Sequence, residues 1–76
     1  MITPEQIRGA RAMLNMKQAD LAKAADISTA ALHNIERGAA IPRATTSAST
    51  QRVLEDAGVE FIPENGGGAG VRLRNR

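Results

Sequence analysis

Residues 18–38 read QADLAKAADISTAALHNIERG, and this stretch decides the fold. Apolar residues recur in it at helical spacing on both sides of a polar break at Asp26. Ser28 is a favourable helix N-cap, and Gly38 is typical of the residue just past a helix end. Helices joined by so short a turn cross steeply, and their closest contact admits only a small side chain such as Ala22. The stretch therefore predicts two short helices packed across a tight turn.

A first helix is predicted before this stretch because three start signals agree. Thr3 can cap the helix, Pro4 suits its first position, and Gln6 stands where a capping-box partner belongs. Gly9 inside the helix costs about 1 kcal/mol relative to Ala. Asn15 is expected to end the helix because it tolerates the left-handed conformation. The buried positions expected in the first three helices are Ile7, Ala10, Leu14, Leu21, Ala22, Ala25, Leu32 and Ile35.

A fourth helix is expected to begin near Thr45 or Thr46 and to end before Gly58. Residues 45–50 are rich in Thr and Ser, which form helices weakly, so the first turns are expected to fray. The apolar side of this helix is expected to consist of Ala48, Val53, Leu54 and Ala57.

The C-terminal part of the chain changes to an alternating pattern. Residues 59–62 and 71–74 predict two short strands joined by a Gly-rich connection. A lone two-stranded ribbon is marginal in water, so either the helices or a second copy of the chain must cover it. The fold class is therefore mainly α, with four to five short helices and a C-terminal β-hairpin. Residues 1–58 form the helical part, and residues 59–76 form the hairpin and a basic tip of the same small domain.

The composition excludes several classes of function. The 76-residue chain has no Cys and one His, which argues against a disulfide framework and a metal site. The Gly-rich run lacks the Lys-Ser or Lys-Thr pair of a phosphate-binding loop, and no catalytic arrangement is apparent. We expect no enzyme, no cofactor and no effector pocket. With no signal-peptide pattern or long apolar run, a soluble cytoplasmic protein without membrane contact is expected.

The placement of charge is more informative than the net charge of +2. The helix that starts near Ser28 is expected to have an outer face without Lys or Arg, made of Ser28, Thr29, Ala30, His33 and Asn34. Three basic residues lie at or near the ends of the central stretch, namely Lys17, Arg37 and Arg43. Arg72, Arg74 and Arg76 crowd the C-terminus, either as solvated surface or as a phosphate-binding arm.

The central stretch resembles the Cro/CI-type helix-turn-helix family, also called the XRE family, of small bacterial and phage-type regulators. Gln18 matches a frequent Gln of the family, and residues 21–22 and 35–38 match its Leu-Ala pair and its Ile-Glu-Arg-Gly ending. The resemblance extends from Thr3 to Pro42, and the tail looks like that of one subgroup. Four positions depart from the pattern: Lys17 replaces a Ser or Thr cap, Asp26 replaces a turn Gly, and Ser47 and Thr50 replace Leu or Ile.

The resemblance implies a lambda-repressor-like fold and sequence-specific binding to double-stranded DNA, with repression as the expected mode. The helix at about 28–37 would lie in the major groove. Base edges would be contacted by Ser28, Thr29, Ala30, His33 and Asn34, with Asn34 suited to adenine and His33 also within reach of a phosphate. Phosphates would be contacted by Lys17, Gln18, Arg37 and Arg43. Arg11 and Glu36 would form a semi-buried structural ion pair between the first and third helices.

Two functions stay open at this point. The modest charge and the outer face without Lys or Arg favour a protein-interaction module, such as an antitoxin or adaptor. Gln18 and Arg37 at their expected positions favour DNA. A homodimer through the hairpin would supply the two-fold symmetry that paired DNA half-sites require.

Overall fold

Four helices and a C-terminal hairpin make up residues 1–74, the part of the chain that this computed structural model describes. The helices are α1 Pro4–Leu14, α2 Gln18–Ala24, α3 Thr29–Glu36 and α4 Ala44–Asp56, and the strands are β1 Val59–Ile62 and β2 Gly70–Leu73. The predicted fold class is confirmed. Arg76, the last residue of the predicted basic tip, lies outside the described residues.

The helix ends follow the local signals in the sequence. The capping box of α1 is complete, since the Thr3 hydroxyl accepts from the Gln6 N–H at 3.1 Å and the Gln6 amide oxygen accepts from the Thr3 N–H at 2.8 Å. Asn15 ends α1 with φ of 55°, as predicted. Asp26 also takes the left-handed conformation, with φ of 61°. This conformation explains why a Gly is usual at that turn.

The core is formed where α1, α2, α3 and α4 meet β1. Its largest fully buried side chains are Leu21, Leu32, Leu54 and Val59. Ala22 is 1% exposed and belongs to this core, as expected for a small side chain between packed helices. The other buried positions predicted on the first three helices are also confirmed, except that Leu14 is only half-buried.

The predicted apolar side of α4 was partly wrong. Its buried residues are Ser47, Thr50 and Leu54, whereas Ala48 and Ala57 are exposed. The buried residues lie on one face at helical spacing, set by the large side chain of Leu54. A single methyl group gains too little from burial to determine which face of a helix turns inward. The Thr50 hydroxyl is satisfied by donating to the Thr46 carbonyl at 2.8 Å. The helix also begins at Ala44, slightly earlier than predicted.

The hairpin is antiparallel and packs against the helices of its own chain. Its register pairs Val59 with Leu73 and Phe61 with Val71. Val59 is fully buried, and Phe61 and Val71 pack against the core. β2 begins at Gly70 and ends at Leu73, so its predicted bounds were displaced by one residue.

Two residues of α1 show how closely the hairpin is docked. The Gln6 amide nitrogen donates to the carbonyls of Ile62 at 3.3 Å and Gly70 at 2.7 Å. A Cβ atom at Gly9 would lie 3.2 Å from Cγ1 of Val71, so glycine allows β2 to approach α1. The apolar face of the hairpin is therefore covered within the chain.

Candidate nucleic-acid interface

Helix α3 is fixed on one side and open on the other. Leu32 and Ile35 anchor it in the core, and the Ser28 hydroxyl caps it by accepting from the Ala31 N–H at 3.0 Å. The predicted base-reading residues lie together on the opposite side of the helix. Of these, Ser28, Thr29, Ala30 and His33 are exposed, and Asn34 is half-buried.

Asn34 lies at the end of this face, where the chain leaves the helix. Its backbone carbonyl accepts from the N–H groups of Ala39 at 2.9 Å and Ala40 at 3.3 Å. Its side-chain oxygen accepts from Nε of Arg37 at 3.1 Å. A second lone pair on that oxygen and the side-chain NH₂ group remain able to bind. These groups match the donor and acceptor that adenine presents in the major groove.

Glu36 forms the junction between α1, α2 and the end of α3. Its side chain is 3% exposed, and Arg11 holds it from Nε and Nη2 at 2.6 Å each. The Gln18 amide nitrogen donates to the same carboxylate at 3.1 Å. Burial alone raises the pKa of Glu36, but hydrogen bonds from Arg11 and Gln18 and the charges of Arg11 and Arg8 outweigh it and lower that pKa. The carboxylate is therefore held in its charged form.

The predicted phosphate-binding residues fall into two groups. Lys17, Arg37 and Arg43 are exposed around α3. Gln18 is half-buried, and one of its amide N–H groups is engaged by Glu36. Lys17 and Gln18 lie at the start of α2, Arg37 at the end of α3 and Arg43 at the start of α4. Of these, Arg37 contacts the open face directly, through its hydrogen bond to Asn34.

The described C-terminal arginines, Arg72 in β2 and Arg74 just after it, bind other parts of the same chain. Arg72 pairs with Glu60 across the hairpin. Its Nε and Nη2 each donate to one carboxylate oxygen of Glu60 at 3.2 Å. Arg74 donates to the Glu55 carbonyl at the end of α4. These contacts favour the solvated-surface interpretation over a phosphate-binding arm for both residues.

A model of the helix-turn-helix family matches residues 7–49, more than half of the chain. The chain belongs to this family, in its XRE or Cro/CI type. The family binds double-stranded DNA and generally acts in transcription regulation, and it is not an enzyme family. No curated protein matches the chain. Within residues 1–74, none of the helices combines the length and apolar character needed to cross a bilayer.

Arg8 belongs to this surface of the XRE domain but was not predicted from the sequence. Its Nη1 donates to the backbone carbonyl of Glu36. It lines a shallow depression of about 350 Å³ together with Arg11, Gln18, His33, Glu36 and Arg37. The available signal was its position three residues before Arg11, which places both side chains on the same side of α1.

Proposed function

We propose that this XRE protein is a sequence-specific DNA-binding transcriptional regulator that acts as a repressor. The observation that carries the proposal is the open polar face of α3, held rigidly by the core behind it and by the Glu36 junction at its end. The major groove is wide enough to admit such a helix. Repression by occupancy requires only DNA binding. Such a regulator would work in the cytoplasm of a bacterial cell, where the DNA is.

The base contacts are assigned to the outer face of α3. Ser28 and Thr29 offer hydroxyl groups at the N-terminal end of the helix, and the Ala30 methyl suits a thymine methyl group. Asn34 is assigned a bidentate contact to adenine, for which its side-chain amide has the donor and the acceptor. His33 lies between them and also borders the depression that Arg37 lines, so it is within reach of a base or a phosphate.

The phosphate contacts are assigned to Lys17, Gln18, Arg37 and Arg43. Arg37 and Arg43 bring a charge to each end of the connection between α3 and α4. Gln18 gives one amide N–H to Glu36, which leaves the second N–H for a phosphate oxygen. These contacts position the protein on the duplex and carry no sequence information themselves.

The proposal includes a homodimer formed through the hairpin, with residues 1–58 and 59–76 acting as one unit. The hairpin's apolar face is already covered, so a second copy would pair along a strand edge. Neither β1 nor β2 has a second strand partner within residues 1–74. Leu73 is 39% exposed and adds an apolar side chain to this region. A two-fold axis would set the two reading helices about 34 Å apart, one turn of DNA.

Selection from a pool of random duplexes at two salt concentrations tests the proposed function. The expected result is one enriched motif, palindromic if the dimer forms, whose binding weakens steeply as salt rises because counterions are released. A pool without an enriched motif, together with no binding to any duplex at low salt, would contradict the proposal.

A protein-interaction role is the second candidate, and one observation favours it. The outer face of α3 carries no Lys or Arg, so it has no charge of its own for DNA. If the protein acts as an antitoxin or adaptor, its partner protein would cover this same face of α3. Its affinity would then depend only weakly on salt, which the same titration measures.

A further inference from the structure

We propose that Arg8 is a further DNA-backbone contact, and that the depression beside it receives one phosphate group of the bound duplex. The proposal rests on the proposed function, because it adds a ligand-binding residue to the same DNA-binding surface. The depression is continuous with the proposed phosphate contacts, since Gln18 and Arg37 line it as well.

The charges around the depression leave it positive. Three guanidinium groups, those of Arg8, Arg11 and Arg37, share it with one carboxylate, that of Glu36. Arg11 neutralises Glu36 through two hydrogen bonds of 2.6 Å. Arg8 and Arg37 are therefore in excess, and the His33 ring adds a further hydrogen-bonding group.

The nearest acidic residue does not neutralise Arg8. Glu5 lies 3.9 Å from Nη2 of Arg8, and the two side chains are 75% and 47% exposed. Ion pairs this exposed contribute little, because water solvates both charges. A phosphate oxygen that enters the depression would meet a guanidinium group that is still attractive to anions.

The Arg8 side chain is already held in a binding position. Nη1 donates to the Glu36 carbonyl at the C-terminal end of α3, where the helix dipole attracts a cation. Because the guanidinium group is planar, its other N–H groups have fixed directions and can form paired hydrogen bonds with a phosphate. Arg8 thus links the reading helix to the backbone of the DNA that the helix reads.

Arg8→Gln tests the proposal, with Arg52→Gln on α4 as the matched control because Arg52 is exposed and does not line the depression. Binding of a duplex with the selected motif and of a mixed-sequence duplex is titrated at several salt concentrations. Loss of one phosphate contact lowers the salt slope by about 0.9, so between about 50 and 200 mM salt the affinity of Arg8→Gln should fall about 3.5-fold less than that of wild type. The reduction in affinity should be equal for both duplexes, and Arg52→Gln should keep the wild-type slope.

Two further measurements distinguish a DNA contact of Arg8 from a purely structural role of this residue. Arg8→Lys keeps the charge and should keep the wild-type slope, and thermal unfolding without DNA reports any loss of stability. An Arg8→Gln variant with the wild-type slope would overturn the proposal even if its affinity or its melting temperature falls. Failure of the wild-type protein to bind any duplex would instead overturn the proposed function.

A titration with inorganic phosphate distinguishes the DNA backbone from free phosphate as the source of the anion that the depression binds. At constant ionic strength, replacing chloride with phosphate should leave duplex binding unchanged if the depression recognises the DNA backbone. Displacement of the duplex by phosphate from wild type but not from Arg8→Gln would show that free phosphate competes with the duplex for the depression, which supports an anion contact at Arg8 and identifies free phosphate as a second occupant.

Discussion

Arg11 and Glu36 form a two-pronged ion pair, in which Nε and Nη2 of Arg11 each lie 2.6 Å from a different oxygen of Glu36. The pair connects α1 to the last residue of α3, and a third hydrogen bond, from Gln18, brings in the start of α2. Arg11 also donates to the Met16 carbonyl at 3.0 Å, which ties the α1–α2 connection to the same point. One buried carboxylate therefore connects α3 to α1 and α2.

Glu36→Ala should destabilise the free protein by about 2–4 kcal/mol, because it leaves the Arg11 charge partly buried without its partner. Glu60→Ala is the matched control. Glu60 also receives two hydrogen bonds from one arginine, but that pair is exposed on the hairpin. Its removal should have little effect on the melting temperature, since exposed ion pairs contribute little.

A double-mutant cycle with Arg11→Ala completes the stability measurement. Residues that bind each other directly give non-additive effects on the free energy of unfolding. Additive losses, or equal losses for Glu36→Ala and Glu60→Ala, would show that the buried pair does not carry this junction.

Acid should weaken the same junction. The folded-state pKa of Glu36 lies below its ordinary value of 4.5, so its contribution to stability is present above that value and is lost as the pH falls through the folded-state pKa. Below about pH 4.5, the unfolding free energy of wild type should therefore fall more steeply than that of Glu36→Gln. Glu60 also has a lowered pKa, but it is present in both proteins and its contribution cancels. Parallel pH profiles for the two proteins would argue against a lowered pKa at Glu36.

Replacing Ser47, a buried residue of α4, with Ala should stabilise the helix. Ser49→Ala, on the same helix but only half-buried, should add about 0.5 kcal/mol through helix propensity alone. Ser47→Ala should add slightly more, because this residue is only 5% exposed and a methyl group suits such surroundings better than a hydroxyl. Chemical denaturation of the two variants measures the difference. A larger gain from Ser49→Ala would indicate that the Ser47 hydroxyl makes a bond the core depends on.

The sequence could predict the parts of the fold that are set by local signals. Thr3 and Gln6 specify the start of α1 by their spacing, and Asn15 specifies its end by its conformation. The face of α4 could not be predicted in the same way, because Ala48 and Ala57 look apolar but bury too little surface to set the register. That register depends on Leu54, which is completely buried in the core.

The other features that the sequence could not predict depend on contacts between distant parts of the chain. Gln6 looks like a capping residue, but its amide also reaches carbonyls 56 and 64 residues away in the hairpin. Gly9 looks like a weak point in α1, but its missing side chain makes room for Val71. The local signal for the contact of Arg8 with the end of α3 is only its position three residues before Arg11. For the candidate site, the family pattern gave residue types and positions, and the base and phosphate contacts assigned to them stay predictions.

Leu73→Lys tests the proposed dimer. A Lys at a strand edge opposes pairing with another strand, so this variant should sediment as a monomer where wild type sediments as a dimer. Leu73→Val keeps an apolar, strand-forming side chain and should remain dimeric. A wild-type protein that stays monomeric at about a hundred micromolar would contradict the proposed dimer, but it would leave the proposed DNA contacts of α3 unaffected.

The most direct test of base reading by α3 is the affinity of wild type and Asn34→Ala for the selected duplex and for each of its single-base-pair variants. Asn34→Ala should lose about 1–3 kcal/mol of discrimination at one base pair and keep it elsewhere, with nearly unchanged binding to mixed-sequence DNA. Arg37→Ala is the matched comparison and should weaken all duplexes alike. If Asn34→Ala discriminates at every position as wild type does, Asn34 does not read a base, and the assignment of α3 as the reading helix loses its strongest contact.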